Sequence, residues 1–229
     1  MKPQNLLLTA AAIISFLIPV LHGQQRFDHV VRGDFFAGFA GNAEALDRAM
    51  KVTEAAIKEN ANHAEALVWH GAGLFFQSSA YFQKQDMAKG MELYGRGMGE
   101  MNKAVALEPK NIGVRVPRAA VLSAGARNMP PHMAKPLWES VIDDYYTVYQ
   151  MQEKNMDQLG THPKGELLFG LADTFSRLGA TEKADFFFGE LQKQLPNTPY
   201  AKRAAIWFET KQPLPAAQVN CIGCHTAGK

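Results

Sequence analysis

The stretch that decides the fold is "LLFGLADTFSRLGATEKADFFFGELQKQLPNTPYAKRA", residues 167–204. Its first part carries apolar side chains at i, i+3, i+4 and i+7: Leu168, Leu171, Ala172 and Phe175. That spacing places them on one face of an α-helix. Gly179 follows the last of them, and glycine is the residue that most often ends a helix, so we expect this helix to stop there.

A second helix is predicted directly after Gly179. Its apolar face consists of Ala184, Phe188, Leu191 and Leu195. Pro196 comes next and cannot continue a helix, because it has no N–H and its ring clashes with the preceding turn. Two amphipathic helices joined by a short glycine turn predict a helical hairpin.

The order of large, small and aromatic positions in this hairpin, with its closing proline, resembles the tetratricopeptide repeat over the repeat's length of about 34 residues. The resemblance implies an all-α fold, a short right-handed solenoid of helix hairpins. It also implies protein contacts through a concave face, although a fold alone does not define a function.

Weaker copies of the same pattern extend over roughly residues 30–210. Around residue 60 the sequence resembles a junction between two repeats, with Ala61 where the family usually has proline. The next such junction, "KAVALEPKN", has the expected proline as Pro109. Gly71 begins a repeat about fourteen residues too long for the family, so "FQSSAYFQKQDMAKG" is expected to contain an insertion.

One further helix pair and a final helix complete the predicted stack. The pair covers residues 114–126 and 135–159, with "RNMPPHMAKP" as the loop between them because Pro130 and Pro131 disfavour a helix interior. The final helix, residues 200–209, is expected to cover the apolar face of the last hairpin.

The composition is that of one soluble, folded domain. Hydrophobic residues make up 47% and charged residues 20% of the 229 residues, and 24 Lys and Arg against 22 Asp and Glu give a formal net charge of +2. So small a charge provides no basic surface for nucleic acid. The chain also lacks a Gly-rich phosphate loop, a metal-binding H-E-x-x-H and a nucleophile elbow of the form G-x-S-x-G.

Residues 1–23 resemble a secretory signal. Lys2 precedes a run without charge over residues 6–21, and Gly23 is the small residue at the expected cleavage point. An uncleaved membrane anchor is the alternative, since sixteen apolar residues fall just short of the roughly 20 needed to span a bilayer. In either case we expect residues 24–229 to be exported, most simply to a bacterial periplasm, and any membrane contact to involve this leader alone.

The segment 211–229 has a different character from the repeats at 24–210. Pro213 and Pro215 favour an extended chain, and "CIGCH" follows. This C-x-x-C-H resembles the haem attachment motif of c-type cytochromes. The resemblance implies one covalent haem c: Cys221 and Cys224 form thioethers with its two vinyl groups, and His225 is the proximal ligand of the iron.

The two cysteines have three other possible roles. A structural zinc site needs four ligands, and no second pair of Cys or His has a suitable spacing. A thioredoxin-like redox pair needs a βαβ setting, which the sequence does not provide. A Cys221–Cys224 disulfide is chemically compatible with an exporting compartment and remains an alternative.

The sixth position of the iron calls for a ligand from elsewhere. In the cytochrome c family helices and a methionine ligand follow the motif, whereas only residues 226–229 follow it here. We therefore expect the haem pocket to come from the helical repeats or from a partner. His132, Met129 and Met133 are the leading candidates, because their loop lies on the edge of the stack where the tail leaves. Residues 210–220, if extended, reach about 35 Å.

Other histidines and the methionine and phenylalanine clusters rank lower. His63 and His162 are expected on the opposite edge, His29 at the start of the first helix, and His70 beside Trp69 in the core. A methionine stripe at helical spacing is predicted to be core: Met87, Met91, Met98 and Met101. Phe186, Phe187 and Phe188 are consecutive and cannot all face the core, so one of them is expected to face solvent, the haem or a partner.

Together these features predict an exported monohaem c-type cytochrome, an electron-transfer protein rather than an enzyme, with a redox partner protein. The alternative is an extracytoplasmic scaffold that binds proteins through its repeats and whose C-x-x-C-H is a disulfide or a minor feature. A haem enzyme such as a peroxidase is a third possibility, which would need an open sixth position.

Overall fold

The computed structural model describes residues 26–216, and this part of the chain is all-helical, as the sequence predicts. Its α-helices, in chain order, are α1 (Phe27–Phe39), α2 (Ala43–Glu59), α3 (Ala64–Gln83), α4 (Met87–Leu107), α5 (Ile112–Ala126), α6 (Pro131–Gln152), α7 (Thr161–Arg177), α8 (Thr181–Gln194) and α9 (Pro199–Thr210). A short 3-10 helix, Glu153–Gln158, continues from α6.

The predicted hairpin of residues 167–204 is confirmed as α7 and α8. Gly179 has a φ of 74° and ends α7 in a left-handed conformation that glycine adopts without strain. The N–H of Ala180 donates to the carbonyl of Phe175, and the N–H of Gly179 donates to that of Ser176. These two hydrogen bonds form a Schellman motif, which satisfies the last carbonyls of α7 and reverses the chain.

Each odd-numbered helix packs against the even-numbered helix that follows it, from the α1–α2 pair to the α7–α8 pair, and α9 covers α8. Helices α1, α3 and α5 also pack on one another in series. Helix α7 packs mainly against α6 and α8, so α5 and α7 are not stacked in the same way. The result is one continuous core, with a concave surface lined by α1, α3, α5 and α7.

The segment 76–90, in which an insertion is expected, lies mostly in helices, at the end of α3 and the start of α4. Helices α3 and α4 have 20 and 21 residues, against 17 and 14 in α7 and α8. They cross at two glycines: a Cβ on Gly71 would lie 2.7 Å from the carbonyl oxygen of Gly97. This close approach requires glycine at the crossing.

The predicted loop at 127–136 is wrong for most of its length. Pro131 is the first residue of α6, where a missing N–H costs nothing because the first N–H groups of a helix have no partner within it. The connection is therefore confined to residues 127–130. His132 and Met133 lie in the first turn of α6, and Pro136 lies one turn further along.

The methionine stripe of α4 is only partly core. Met101 is fully buried, but Met87 and Met91 are 58% and 56% exposed. The buried face of α4 is centred on Leu93, Gly97 and Ala104. The methionine stripe therefore follows the edge of the buried face. Helical spacing alone places the methionines on one side of α4 but does not show how much of that side is buried.

Two other predictions about core residues are confirmed. His70 is buried, and its Nδ1 lies 2.5 Å from Oε2 of Glu100. Of the three consecutive phenylalanines, Phe187 and Phe188 are buried and Phe186 is exposed. The expected mixed orientation of this triplet is thus present in α8.

Candidate functional site

The chain after α9 runs back along the helical body. Lys211 has a left-handed φ of 53°, and its ammonium group contacts the carboxylate of Asp185 at the start of α8. Leu214 is 1% exposed, and its carbonyl oxygen accepts a hydrogen bond of 2.6 Å from Nη2 of Arg177. Residues 211–216 therefore pack against the edge of the stack at which α7 ends.

A buried ionic cluster fixes this edge. The carboxylate of Asp173 in α7 is completely buried, and its Oδ2 lies 2.7 Å from Nη2 of Arg127 and 3.0 Å from Nε of Arg177. Both guanidinium groups lie over the ring of Trp138, at 5.7 and 5.2 Å from its centroid. A continuous set of contacts therefore connects the 127–130 segment, through Asp173 and Arg177, to the carbonyl of Leu214.

A cavity of about 1500 Å³ opens on the concave side of the helices. We call it the concave groove; its walls come from α1, α3, α5 and α7, with a contribution from α6. Aromatic side chains of α1 and α3 form much of one wall: Phe36, Phe39, Trp69, Phe75, Phe76 and Phe82. Met129 and Ala216 line the groove as well, so both the 127–130 segment and the last described residue border it.

Charged groups lie where α1 and α7 approach each other across the groove. Burial raises the pKa of the Glu166 carboxyl above its usual value, and His162 and Arg32 oppose that shift. Nε2 of His162 lies 3.6 Å from Oε2 of Glu166. The groove thus has an apolar aromatic wall and a charged boundary at the α1–α7 side.

The structure distinguishes the three candidates for the sixth ligand by their position. Met129 is half-buried and lines the concave groove. His132 and Met133 are exposed on the first turn of α6, Met133 by 53%, and neither is among the groove residues. Cys221, Cys224 and His225 lie outside the described residues.

The lower-ranked histidines have structural surroundings of their own. His63 is the N-cap of α3 and accepts the N–H of Ala66 through Nδ1, and its ring packs against Phe27. His29 lies in the first turn of α1, near Asp28. His162, expected on the opposite edge from the tail, does lie at the start of α7, but there it borders the groove.

No family model matches this chain, and neither does any curated protein or solved structure. Every helix between residues 26 and 216 is too short or too polar to cross a membrane. Over the same described range, no three His, Cys, Asp or Glu side chains come together in a way that could hold a metal ion.

Sequence reasoning missed the residues that hold the tail. Asp173 and Arg177 are charged residues of an amphipathic helix, a class that is usually exposed to solvent. Leu214 lies between two prolines in the sequence. A large apolar side chain in an otherwise polar, proline-containing segment is the only sequence feature that indicates packing of this segment against the helices.

Proposed function

We propose that this chain is an exported monohaem c-type cytochrome that transfers electrons to or from a redox partner protein. The observation that carries the proposal is the sequence Cys221-Ile222-Gly223-Cys224-His225. Cys221 and Cys224 provide the two thiols for covalent attachment, and His225 provides the imidazole for the proximal axial position. Haem c, once attached, supplies reversible one-electron chemistry.

We further propose that the helices form a short right-handed solenoid of the tetratricopeptide type. The serial packing of α1, α3 and α5, each with its partner helix, supports this architecture. In the proposed layout residues 1–23 are the leader, 24–210 the repeats and 211–229 the haem-bearing tail. The burial of Leu214 indicates that packing against the repeats continues beyond residue 210.

The chemistry of the groove suits a haem. Its walls are largely aromatic and aliphatic, as in most cofactor sites, and its volume exceeds the roughly 300–1,000 Å³ of ordinary ligand pockets. Met129 brings a thioether to the lining, and methionine sulfur is a soft ligand that haem iron accepts opposite histidine. These features support the proposal that a haem bound in the groove would be shielded from water by the helices.

A scaffold that binds proteins is the second candidate, and the concave groove is the observation that favours it. The discriminating variant is a chain truncated after Ala216, because it removes Cys221, Cys224 and His225 but keeps Leu214 in its contact with Arg177. Electron-transfer activity lost while partner binding persists supports the cytochrome. Unchanged function in the truncated chain would reject it.

Export is tested separately from haem attachment. In cells that mature c-type cytochromes, we expect the protein in the periplasmic fraction with a chain that begins near Gln24. Retention in the membrane fraction with the leader intact would instead indicate the uncleaved anchor.

A further inference from the structure

We propose that the haem carried by Cys221 and Cys224 docks in the concave groove of its own chain, with the Sδ of Met129 as the second axial ligand. This inference rests on the proposed function, since it presupposes covalent haem. It adds the identity of the pocket and of the distal ligand.

The first argument is where the tail is held. Leu214 is buried and hydrogen-bonded to Arg177, and Ala216 already lines the groove. Cys221 follows Ala216 by only five residues, a distance of at most about 17 Å for an extended chain. Packed helices are about 10 Å apart, so this length reaches between one and two helix spacings from Ala216 into the groove.

The second argument is that one cluster holds both the tail and the proposed ligand. Arg127, which precedes Met129 by two residues, is fixed by Asp173, and the same carboxylate oxygen fixes Arg177, which binds the carbonyl of Leu214. The N–H of Met129 also donates to the carbonyl of Ala126 at the end of α5. Ligand and tether are thus positioned relative to each other before any haem is bound, which lowers the entropy cost of ligation.

The third argument is the selection among the candidate ligands. A ligand must share a cavity with the iron, and of His132, Met129 and Met133 only Met129 lines the groove. His162 also borders the groove, but it lies at the start of α7 with its Nε2 3.6 Å from Oε2 of Glu166, away from the 127–130 segment. The groove lining is mostly apolar, although Arg127 and Asn128 border it beside Met129. A largely apolar environment suits a neutral thioether better than it suits a charged ligand.

The short tether also favours the chain's own groove over that of a second copy. A ligand attached through a few residues experiences an effective concentration in the millimolar range, far above that of a second protein molecule in dilute solution. We therefore expect the ligation to be independent of protein concentration.

The test compares Met129→Leu with Met133→Leu in the full, haem-loaded chain. Leucine keeps the volume and apolar character of methionine but has no sulfur, so we expect packing to be preserved. In Met129→Leu, the ferric spectrum should lose its methionine–iron charge-transfer band, the ferrous form should bind carbon monoxide, and the reduction potential should fall. Met133→Leu and the wild type should keep the band and exclude carbon monoxide.

A spectrum unaffected by Met129→Leu, or changed by Met133→Leu instead, would overturn the inference. Adding a haem-free Cys221→Ser/Cys224→Ser chain to the Met129→Leu protein should not restore the band. Restoration would show that Met129 ligates in trans and would refute docking in the chain's own groove.

The intact mass separates this inference from the proposed function. Each thiol adds across a vinyl group without a leaving group, so attachment increases the mass by one whole haem. A mass with haem and no effect of Met129→Leu refutes the docking alone. A mass without haem refutes the proposed function together with the docking.

Discussion

Replacing Asp173 by alanine tests the cluster that organises this edge of the molecule. The carboxylate is completely buried and is the acceptor for Arg127 and Arg177. Its removal leaves two guanidinium groups, both largely withdrawn from solvent, without their shared counterion. Asp34 is the matched control, because it forms a two-point contact with Arg48 at 2.7 and 3.2 Å, yet that pair is exposed.

The two changes should differ strongly in magnitude. Removing one partner of a buried ion pair costs about 3–5 kcal/mol, whereas an exposed pair contributes about 0–1 kcal/mol. For a chain of this size each kcal/mol lowers the melting temperature by about 2–4 °C, so Asp173→Ala should lower it by about 6–20 °C. Asp34→Ala should lower it by at most about 4 °C.

Denaturant and thermal unfolding followed by circular dichroism measure both variants. Limited proteolysis supplies a second readout, because loss of Asp173 also removes the support of Arg177 and so loosens the hold on Leu214. We expect faster tryptic cleavage after Lys211 in Asp173→Ala than in Asp34→Ala. Equal losses of stability, with equal cleavage rates, would refute the structural role given to this cluster.

Two further predictions concern the helix crossing and the tail. Gly71→Ala should lower the free energy of unfolding by about 1–3 kcal/mol, because its Cβ would meet a backbone carbonyl of α4. In the control Gly95→Ala the new Cβ faces open space, so the free energy of unfolding should rise by about 0.5–1 kcal/mol. Equal changes of the two variants in urea unfolding would contradict this prediction. The ammonium of Lys211 and the indole N–H of Trp207 hold the pKa of Asp185 below its usual value. The stability that these two contacts contribute is therefore fully present above the unfolded pKa of about 3.9, and it is lost as the pH falls through the folded pKa. Asp185→Asn should flatten the melting temperature against pH over that acidic range, and parallel curves would show that the interaction contributes nothing.

The fold class could be predicted because its signals are local. The apolar spacing of α7 and α8 and the glycine between them lie within one stretch of chain, and the structure confirms that hairpin. The predicted start of α6 is wrong because two consecutive prolines indicate a loop, although the second of them, Pro131, is well suited to the first position of a helix. The prediction that Met87 and Met91 are core residues is wrong because spacing shows which residues share a helix face but not how far the core extends along that face.

The groove and its contacts could not be predicted, since they depend on distant parts of the chain. Helix α7 packs on α6 and not in series with α5, yet it lines the groove together with α1, α3 and α5, an arrangement that the repeat pattern does not predict. Leu214 and Arg177 are separated by 37 positions, and their contact depends on the direction of the chain after α9. Met129 is one of three sequence candidates for the sixth ligand, and only the three-dimensional arrangement shows that it lines the groove whereas His132 and Met133 do not.

The intact mass of the denatured protein, purified from cells that mature c-type cytochromes, tests the central claim most directly. The account predicts the chain from about Gln24 plus one covalently attached haem. A mass without haem and two hydrogens short would mean a Cys221–Cys224 disulfide, which would contradict the cytochrome and leave the protein-binding scaffold as the better explanation.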